Sequence, residues 1–296
     1  MSEVPSVSVI VPTFRRPGEL TACLKALAGL DYPRDRLEVI VVDDGGDIPL
    51  DGVVAPFRER FEVELIRQQN AGPAAARNAG ASRARGEILA FTDDDCAPDP
   101  SWLRTLVEGP AAEPGCAAGG RTVNALESNP YATTSQLVTD LVYAHYNVDP
   151  GEGRFLASNN FALGARAFRS IGGFDERFRV SEDRELCDRW RHAGRRLVYV
   201  PEAVVRHSHV LTFGGFCEQH FAYGRGAFRF HRVRGRRGSG HLMTELAFYR
   251  GLPHATRASL AGIDDGRAAL GGLLALWQAA NAVGYVWEAA SSGLRR

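Results

Sequence analysis

The first part of the chain alternates between short apolar runs and helix-like segments, and this alternation constrains the fold more than any other feature. Apolar runs typical of buried strands cover residues 7–12, Leu37–Asp43, 61–67 and 87–92, and helical patterns cover Pro17 to about Leu30 and Pro73 to Arg85. Alternation of strands and helices in this order predicts an α/β fold with a parallel, doubly wound sheet and helices on its faces.

Polar clusters follow three of these strands, at Thr13-Phe14, at Asp43-Asp44 and at Asp93–Asp95. Ligands of doubly wound sheets bind beyond the carboxyl ends of the strands, so the three clusters predict one site. Three adjacent carboxylates raise one another's pKa unless a cation neutralises them. A hard divalent cation prefers carboxylate and phosphate oxygens, which points to an enzyme with a phosphorylated substrate.

The composition limits the partners and the location of the protein. The 296 residues include 35 basic and 35 acidic side chains, so the chain has no global attraction to nucleic acid. Five scattered cysteines without a CxxC pair are typical of reduced thiols in a cytoplasmic protein. The N-terminus has no basic residues, and its apolar run is too short for a signal peptide. We therefore expect a cytoplasmic protein.

Six segments in order resemble the family 2 glycosyltransferases of the GT-A fold. They are 7–14, 41–45, 70–80, 91–95, 172–176 and Glu182-Asp183. The resemblance runs from residue 7 to about residue 210. It implies a Rossmann-like, mostly parallel sheet sandwiched by helices, with a catalytic domain over residues 1–212. It also implies inverting transfer of a sugar from a nucleotide-diphosphate sugar to a hydroxyl acceptor, with Mn²⁺ or Mg²⁺ on the diphosphate.

The resemblance also implies roles for particular residues. The end of the first strand (Pro12, Thr13 and Phe14) and Asp44 would hold the base and ribose. Asp93 and Asp95 occupy the DxD positions of the family. Asp93 would approach the ribose or sugar and Asp95 would bind the metal, while Asp94 would be at most a donor-side contact that points away from the metal.

Two further residues are candidates for the donor side. Arg77 lies in the helix that begins near Gly72, so it could contact the nucleotide or an aspartate, or simply face outward from a packed helix. Asn160 could close over the diphosphate or the acceptor, or it could serve only in a turn.

Asp183 is the expected general base, which would deprotonate the acceptor hydroxyl. Its neighbour Glu182 would orient the acceptor or the base, and both Glu182 and Asp175 are alternative bases. We expect a helix over residues 181–193 with Ser181 as its N-cap. The positive end of the helix dipole would keep a carboxylate there ionised and available.

His207 and His209 would lie on one face of a strand at this HxH spacing. Some family members resemble this segment and use a histidine here as a metal ligand, so we expect His207 to join Asp95 and Asp93 at the metal. The alternative is a pair of partly exposed loop histidines. An imidazole ligand shifts the preference slightly toward Mn²⁺.

Residues 213–296 are expected to form a helical extension for acceptor, membrane or oligomer contact. The segment 219–226 lacks the tryptophan of the QxxRW signature of processive members, which favours a non-processive enzyme. Residues 268–287 are mostly apolar and could just span a bilayer. The alternatives are peripheral contact with the inner face of the cell membrane, contact with a lipid-linked acceptor, a helix packed on the protein itself, or a homodimer contact.

The sequence therefore favours a non-processive, metal-dependent glycosyltransferase whose acceptor is a glycan, a lipid-linked intermediate or a small molecule. A nucleotidyltransferase is one alternative, but the loop after the first strand is too short and too poor in glycine to cradle a triphosphate. A non-catalytic nucleotide-sugar-binding protein of the same fold is the other. The intact Asp93, Asp95 and Asp183 speak against it.

Overall fold

The computed structural model describes residues 4–240, 245–261 and 266–293. The chain divides into two compact units. The first comprises the chain up to Val123 together with Asp149–Ser208, and the second comprises Asn124–Val148 together with the chain from His209 onward. The division is thus discontinuous, whereas the sequence suggested a continuous one at residue 212. A catalytic role for residues 1–212 and a contact role for 213–296 stay predictions.

An eight-stranded sheet forms the centre of the first unit, in the order β3-β2-β1-β4-β7-β6-β8-β5. The strands are β1 (Val7–Thr13), β2 (Leu37–Asp43), β3 (Glu62–Arg67), β4 (Ile88–Phe91), β5 (Cys96–Pro98), β6 (Cys116–Asn124), β7 (Phe161–Gly164) and β8 (Arg196–His207). β1 to β4 are parallel to one another, which confirms the predicted parallel sheet. β7 runs antiparallel to β4 and β6, and β5 runs antiparallel to β8.

Helices cover both faces of this sheet. Those of the first unit are α1 (Pro17–Ala28), α2 (Asp51–Val54), α3 (Pro73–Arg83), α4 (Trp102–Val107), α6 (Ala165–Ser170) and α7 (Glu182–His192). Successive residues of β1 point to opposite faces. Val9 therefore packs in an apolar cluster with Leu24 of α1, and Ile10 packs in a second cluster with Ala76 of α3. The α/β sandwich predicted from the sequence is confirmed.

The second unit is helical, and its helices are α5 (Pro130–Tyr146), α8 (Phe213–Arg237), α9 (Leu246–Ala261) and α10 (Arg267–Gly293). The helical structure predicted from residue 213 onward is thus confirmed for the described residues. α8 and α10 approach closely at two glycines. A Cβ on Gly224 would lie 1.9 Å from the Asn281 carbonyl oxygen, and one on Gly284 would lie 2.0 Å from the Phe221 carbonyl oxygen.

The apolar segment predicted near the C-terminus lies within α10. By length and composition, Arg267–Ser292 could cross a membrane, and little of this helix is buried. Core helices of water-soluble proteins can have the same length and composition. Val283, Val286 and Trp287 of this helix are exposed.

Candidate active site

The ends of β1 and β2 lie side by side and form one border of the site. Thr13 pairs with Asp43 in the parallel ladder, and the backbone N–H of Asp44 donates to the Thr13 carbonyl at 2.9 Å. The Phe14 ring is 40% exposed at this edge, and the Arg15 guanidinium lies 5.1 Å from its centroid. The predicted donor residues Pro12, Thr13, Phe14 and Asp44 are therefore adjacent.

Asp44 anchors the loop that leads into α3. Its carboxylate accepts hydrogen bonds from the backbone N–H groups of Ala71 and Gly72, both at 2.8 Å, and from Gln68 Nε2 at 2.7 Å. Gly72 has φ +95°, a left-handed conformation that favours glycine. The buried carboxylate thus fixes the start of α3, and a direct contact between Asp44 and a nucleotide stays a prediction.

Asp94 points into the protein. Its Oδ2 accepts a hydrogen bond from the Thr13 hydroxyl at 2.7 Å, and its Oδ1 contacts Arg16 Nη1 at 3.2 Å. Burial raises the pKa of Asp94 to about 6, although Arg16 and the Thr13 hydroxyl lower it in part. The middle carboxylate of the triplet therefore ties the end of β1 to the turn after β4.

Asp95 divides its two carboxylate oxygens between Arg16 and His207. Oδ2 accepts from Arg16 Nη1 at 2.9 Å, and Oδ1 lies 3.2 Å from His207 Nε2. The pairing of β5 with β8 places Cys96 opposite His207 and so brings the imidazole to the triplet. Burial alone lowers the pKa of His207, but the hydrogen bond and the charge of Asp95 raise it above its usual value.

The Asp95–His207 pair fits a divalent cation. Neighbouring ligands of an octahedral ion with bonds of 2.0–2.1 Å lie about 3 Å apart, close to the observed 3.2 Å between Oδ1 and Nε2. The Cys96 thiol also lies nearby, within 4.8 Å of both ligand atoms, but burial raises its pKa well above the ordinary value and keeps it protonated. Asp93 does not belong to this cluster, and its Oδ1 accepts from Arg77 Nη2 at 2.6 Å, so a contact of Asp93 with the metal stays a prediction.

Arg77 connects the triplet to α7. Its Nη2 donates to Asp93, and its Nη1 donates to Glu182 Oε1 at 2.7 Å. Only 3% of Arg77 is exposed, and its guanidinium lies 5.7 Å from the centroid of the Phe174 ring. Burial opposes the charge, but Asp93 and Glu182 raise the pKa of Arg77 above its usual range. The side chain therefore lies between two carboxylates. Its contact with Asp93 is one of the alternatives expected from the sequence, and contact with the nucleotide stays a prediction.

Asp183 follows Glu182 in the first turn of α7. Its Oδ1 accepts a hydrogen bond from the backbone N–H of Arg184 at 2.7 Å. Burial and the neighbouring Glu182 carboxylate raise the pKa of Asp183 to about 7. A carboxylate with this pKa can accept a proton near neutral pH, so it has the property required of a general base.

The start of α7 differs from the prediction. Ser181 precedes the first helical residue, but its hydroxyl does not cap the helix, because the residue has φ 66° in the left-handed region. A non-glycine residue in this conformation is uncommon and is found more often at functional sites. The left-handed Ser181 thus forms the turn that precedes Glu182 and Asp183, but its side chain accepts no hydrogen bond from the N–H groups at the start of α7.

The prediction that Asn160 contacts the diphosphate or acceptor is wrong for this structure. Asn160 is fully buried. Its Oδ1 accepts from Trp102 Nε1 at 2.8 Å and from the Gly120 N–H at 3.2 Å, and its Nδ2 donates to the carbonyl oxygens of Arg121 and Ala203 at 3.1 and 2.9 Å. All four hydrogen-bonding positions of the amide are used, so none remains for a ligand. Asn160 instead joins α4, β6 and β8.

Arg16 is a site residue that the sequence reasoning missed. It lies in the loop between β1 and α1, and its guanidinium contacts both Asp94 and Asp95. In the sequence, Arg16 lies in the loop whose shortness argues against binding of a triphosphate. Its position directly after β1, on the same sheet edge as the aspartates, is the signal that could have identified it.

Comparison with known proteins gives a consistent result. The family model described as glycosyl transferase family 2 matches residues 8–172, more than half of the chain. The pre-mycofactocin glycosyltransferase of Mycobacterium tuberculosis is 32% identical over 234 residues, which cover 75% of this chain and 46% of that protein. The probable glycosyltransferase YdaM of Bacillus subtilis is 26% identical over 239 residues, or 76% of this chain and 56% of that protein. The chain thus spans about half the length of these relatives.

Solved structures show the same fold. The mannosyltransferase PcManGT from Pyrobaculum calidifontis, in complex with GDP-Man and Mn²⁺, has a TM-score of 0.70 at 22% identity and covers 99% of this chain and 88% of that one. TarS 1-349 from S. aureus, in complex with UDP-GlcNAc, has a TM-score of 0.56 at 16% identity and covers 95% and 89% of the two chains. These similarities confirm the GT-A fold. With the match to the family model, they show that the chain belongs to glycosyl transferase family 2.

Proposed function

We propose that the protein is a non-processive glycosyltransferase that moves a sugar from a nucleotide-diphosphate sugar to a hydroxyl acceptor, with inversion at the anomeric carbon and with Mn²⁺ or Mg²⁺ bound. The observation that carries this proposal is the position of Arg77 between Asp93 and Glu182. It joins the strand-end aspartates, which would face the donor, to the acidic pair of α7, which would face the acceptor. The names of the relatives support the class of reaction.

The donor nucleotide would lie along the ends of β1 and β2. An exposed aromatic ring such as Phe14 can stack on a nucleobase, because every base has a π-face. Pro12, Thr13 and Asp44 would form the wall beside the ribose. Asp93, whose side chain is 30% exposed, would approach the ribose or the sugar.

Asp95 and His207 would hold the cation. A divalent cation bound there would neutralise the charge that develops on the leaving diphosphate. The carboxylate and imidazole donor set suits Mn²⁺ and also accepts Mg²⁺. The Thr13 and Arg16 contacts to Asp94 would keep the neighbouring turn fixed.

Asp183 would act as the base. It would take the proton of the acceptor hydroxyl while the hydroxyl oxygen forms a bond to the anomeric carbon. The bond from that carbon to the diphosphate oxygen would break on the opposite face, with the electron pair leaving on the diphosphate. Glu182 is held by Arg77, so we assign it the orientation of the base and acceptor rather than proton transfer.

The proposed acceptor class and location rest on exposed apolar side chains and on composition. Val283, Val286 and Trp287 expose apolar surface on α10. This surface supports peripheral contact with the inner face of the cell membrane, contact with a lipid-linked acceptor, or a homodimer. A free glycan or a small metabolite are the other acceptor classes. The zero net charge and the scattered cysteines support a cytoplasmic protein without nucleic-acid partners.

A thermal-shift screen tests the proposed function. The protein is heated with GDP, UDP, other nucleoside diphosphates and their sugars, each with Mn²⁺, with Mg²⁺ or with EDTA. A ligand that binds only the folded state raises the melting temperature by mass action, so the preferred donor should raise it more with metal than with EDTA. The best donor is then tested for transfer to candidate acceptors. The proposal fails if no nucleotide stabilises the protein with either metal.

A further inference from the structure

Arg16 contacts two carboxylates of the triplet through a single nitrogen. Nη1 lies 3.2 Å from Asp94 Oδ1 and 2.9 Å from Asp95 Oδ2. A guanidinium carries further N–H donors on Nη2 and Nε, and the Arg16 side chain is 45% exposed. Arg16 can therefore hold the two aspartates and still offer donors to a ligand.

The positive charge of Arg16 affects a cation and an anion at this site in opposite ways. A divalent ion on Asp95 Oδ1 and His207 would share the Asp95 carboxylate with Arg16 on Oδ2, so the two positive charges would repel each other. A diphosphate carries negative charge and accepts hydrogen bonds, and a guanidinium matches phosphate geometry well. The same side chain would weaken binding of the metal alone and strengthen binding of the nucleotide.

We propose that Arg16 is a positioning residue that makes binding of the divalent cation depend on the nucleoside diphosphate. Without nucleotide, Arg16 stays on Asp94 and Asp95 and disfavours the cation. With nucleotide, the diphosphate accepts hydrogen bonds from the guanidinium and offsets its charge, so the cation binds more tightly. This inference rests on the proposed function, because it requires a diphosphate next to Asp95.

A purely structural role for Arg16 predicts a different result. If the guanidinium only held the turn of the triplet together, its loss would disorder Asp95 and weaken binding of the cation. Under the proposal, its loss strengthens binding of the cation alone. The sign of the change in metal affinity therefore separates the two roles.

The test measures Mn²⁺ binding to the full chain from the electron paramagnetic resonance signal of free Mn²⁺. Each protein is titrated without nucleotide, with saturating GDP and with saturating UDP. The variants are Arg16→Gln, Arg16→Lys and the control Arg83→Gln, which removes an exposed charge paired with Glu64 at the far end of α3. Isothermal titration with GDP or UDP in EDTA measures the nucleotide alone.

We expect Arg16→Gln to bind Mn²⁺ alone about tenfold more tightly and the metal-free nucleotide about tenfold more weakly than the wild type. Arg16→Lys keeps the charge and should resemble the wild type in Mn²⁺ affinity, as should Arg83→Gln. If the wild type binds Mn²⁺ and a nucleotide together but Arg16→Gln binds Mn²⁺ with unchanged or weaker affinity, the inference about Arg16 is wrong and the proposed function stands. If the wild type binds neither, the proposed function and the inference both fail.

Discussion

Arg77 Nη1 lies 2.7 Å from Glu182 Oε1, and the two residues are 105 positions apart in the chain. The other end of the same guanidinium contacts Asp93. Because Arg77 is buried, its charge is tolerated only while these carboxylates stay in place. The contact thus makes the geometry of the proposed donor and acceptor sides depend on each other.

We expect Arg77→Leu to lower the free energy of unfolding by about 3–5 kcal/mol, because it leaves the buried Glu182 and the partly buried Asp93 without their partner. Urea denaturation followed by circular dichroism measures this change. Arg83→Leu, in the same helix but on the exposed surface, is the matched control and should change stability by no more than about 1 kcal/mol. Equal effects of the two substitutions would contradict the bridging role of Arg77.

Asp183→Asn should keep nucleotide-sugar binding and lose sugar transfer, because the amide cannot accept the proton of the acceptor hydroxyl. Loss of a general base costs roughly 10²–10⁴-fold in rate. Donor affinity is measured by calorimetry and transfer by product formation. Asp175→Asn is the control, since Asp175 forms an ion pair with Arg177 and was the alternative base. Full transfer by Asp183→Asn would remove Asp183 from this role.

The raised pKa of Asp183 predicts a pH dependence of transfer. The carboxyl is protonated below its pKa of about 7 and can act as a base only above it. We therefore expect kcat/KM to rise with pH up to about 7 and to level off above. A profile already flat between pH 5 and 8 would show that another group accepts the proton.

The same shift predicts the sign of a stability difference. Because the folded state raises the pKa of this acid, the ionised form destabilises the fold, and this cost is fully present above about pH 7. Asp183→Asn should be more stable than the wild type at pH 8. Its advantage should shrink as the pH falls from about 7 toward the unfolded value of about 4. Chemical denaturation at several pH values measures the difference, and a constant difference would argue against the shift.

Asp95→Ala should abolish measurable Mn²⁺ binding in the presence of nucleotide, because it removes the proposed carboxylate ligand. His207→Gln removes the proposed imidazole ligand and should weaken Mn²⁺ binding by roughly ten- to a hundredfold. Titration calorimetry with Mn²⁺ measures both. Asp99→Ala is the control, since Asp99 forms an ion pair with Arg206 outside the triplet. Unchanged Mn²⁺ affinity in Asp95→Ala would contradict the metal assignment.

Asn160→Ala should destabilise the fold by about 3 kcal/mol, because it removes the amide partner of the buried Trp102 Nε1 and of the Arg121 and Ala203 carbonyl oxygens. Unfolding curves measure the loss. The folded fraction of the variant should bind the donor with wild-type affinity. A selective loss of donor affinity at unchanged stability would restore Asn160 to the ligand site.

The parts of the fold that repeat a simple pattern could be predicted from the sequence. The strands and helices up to residue 92 follow hydrophobic periodicity, and the end of each parallel strand marks the edge where Thr13, Asp44 and Asp93 are found. The antiparallel pairing of β5, β6, β7 and β8 could not be predicted in the same way. Their pairing depends on distant segments, and β5 has only three residues, Cys96–Pro98.

The site residues divide in a similar way. Carboxylates at the ends of buried strands can be recognised as candidate site residues from the sequence, because burial of a charged group is unfavourable without a partner. An amide such as that of Asn160 looks the same in sequence whether it binds a ligand or satisfies the backbone of two strands. Ser181 shows the same limit, since its position suggested a cap but its left-handed φ is a property of the fold around it. Such choices are decided by which donors and acceptors the tertiary structure leaves unpaired.

The close contact of α8 and α10 at Gly224 and Gly284 has a consequence for how the sequence of these helices can diverge in evolution. Where Gly224 and Gly284 meet the opposite backbone, the separation of the helices is set by main-chain atoms and not by side-chain volume. Substitution of larger side chains by smaller ones elsewhere in α8 and α10 should therefore leave the distance between the two helices unchanged. We expect distant relatives to share little sequence in these helices beyond the two glycines. An alignment based on overall sequence similarity would then fail to detect this helix contact, although the structures of the relatives would retain it.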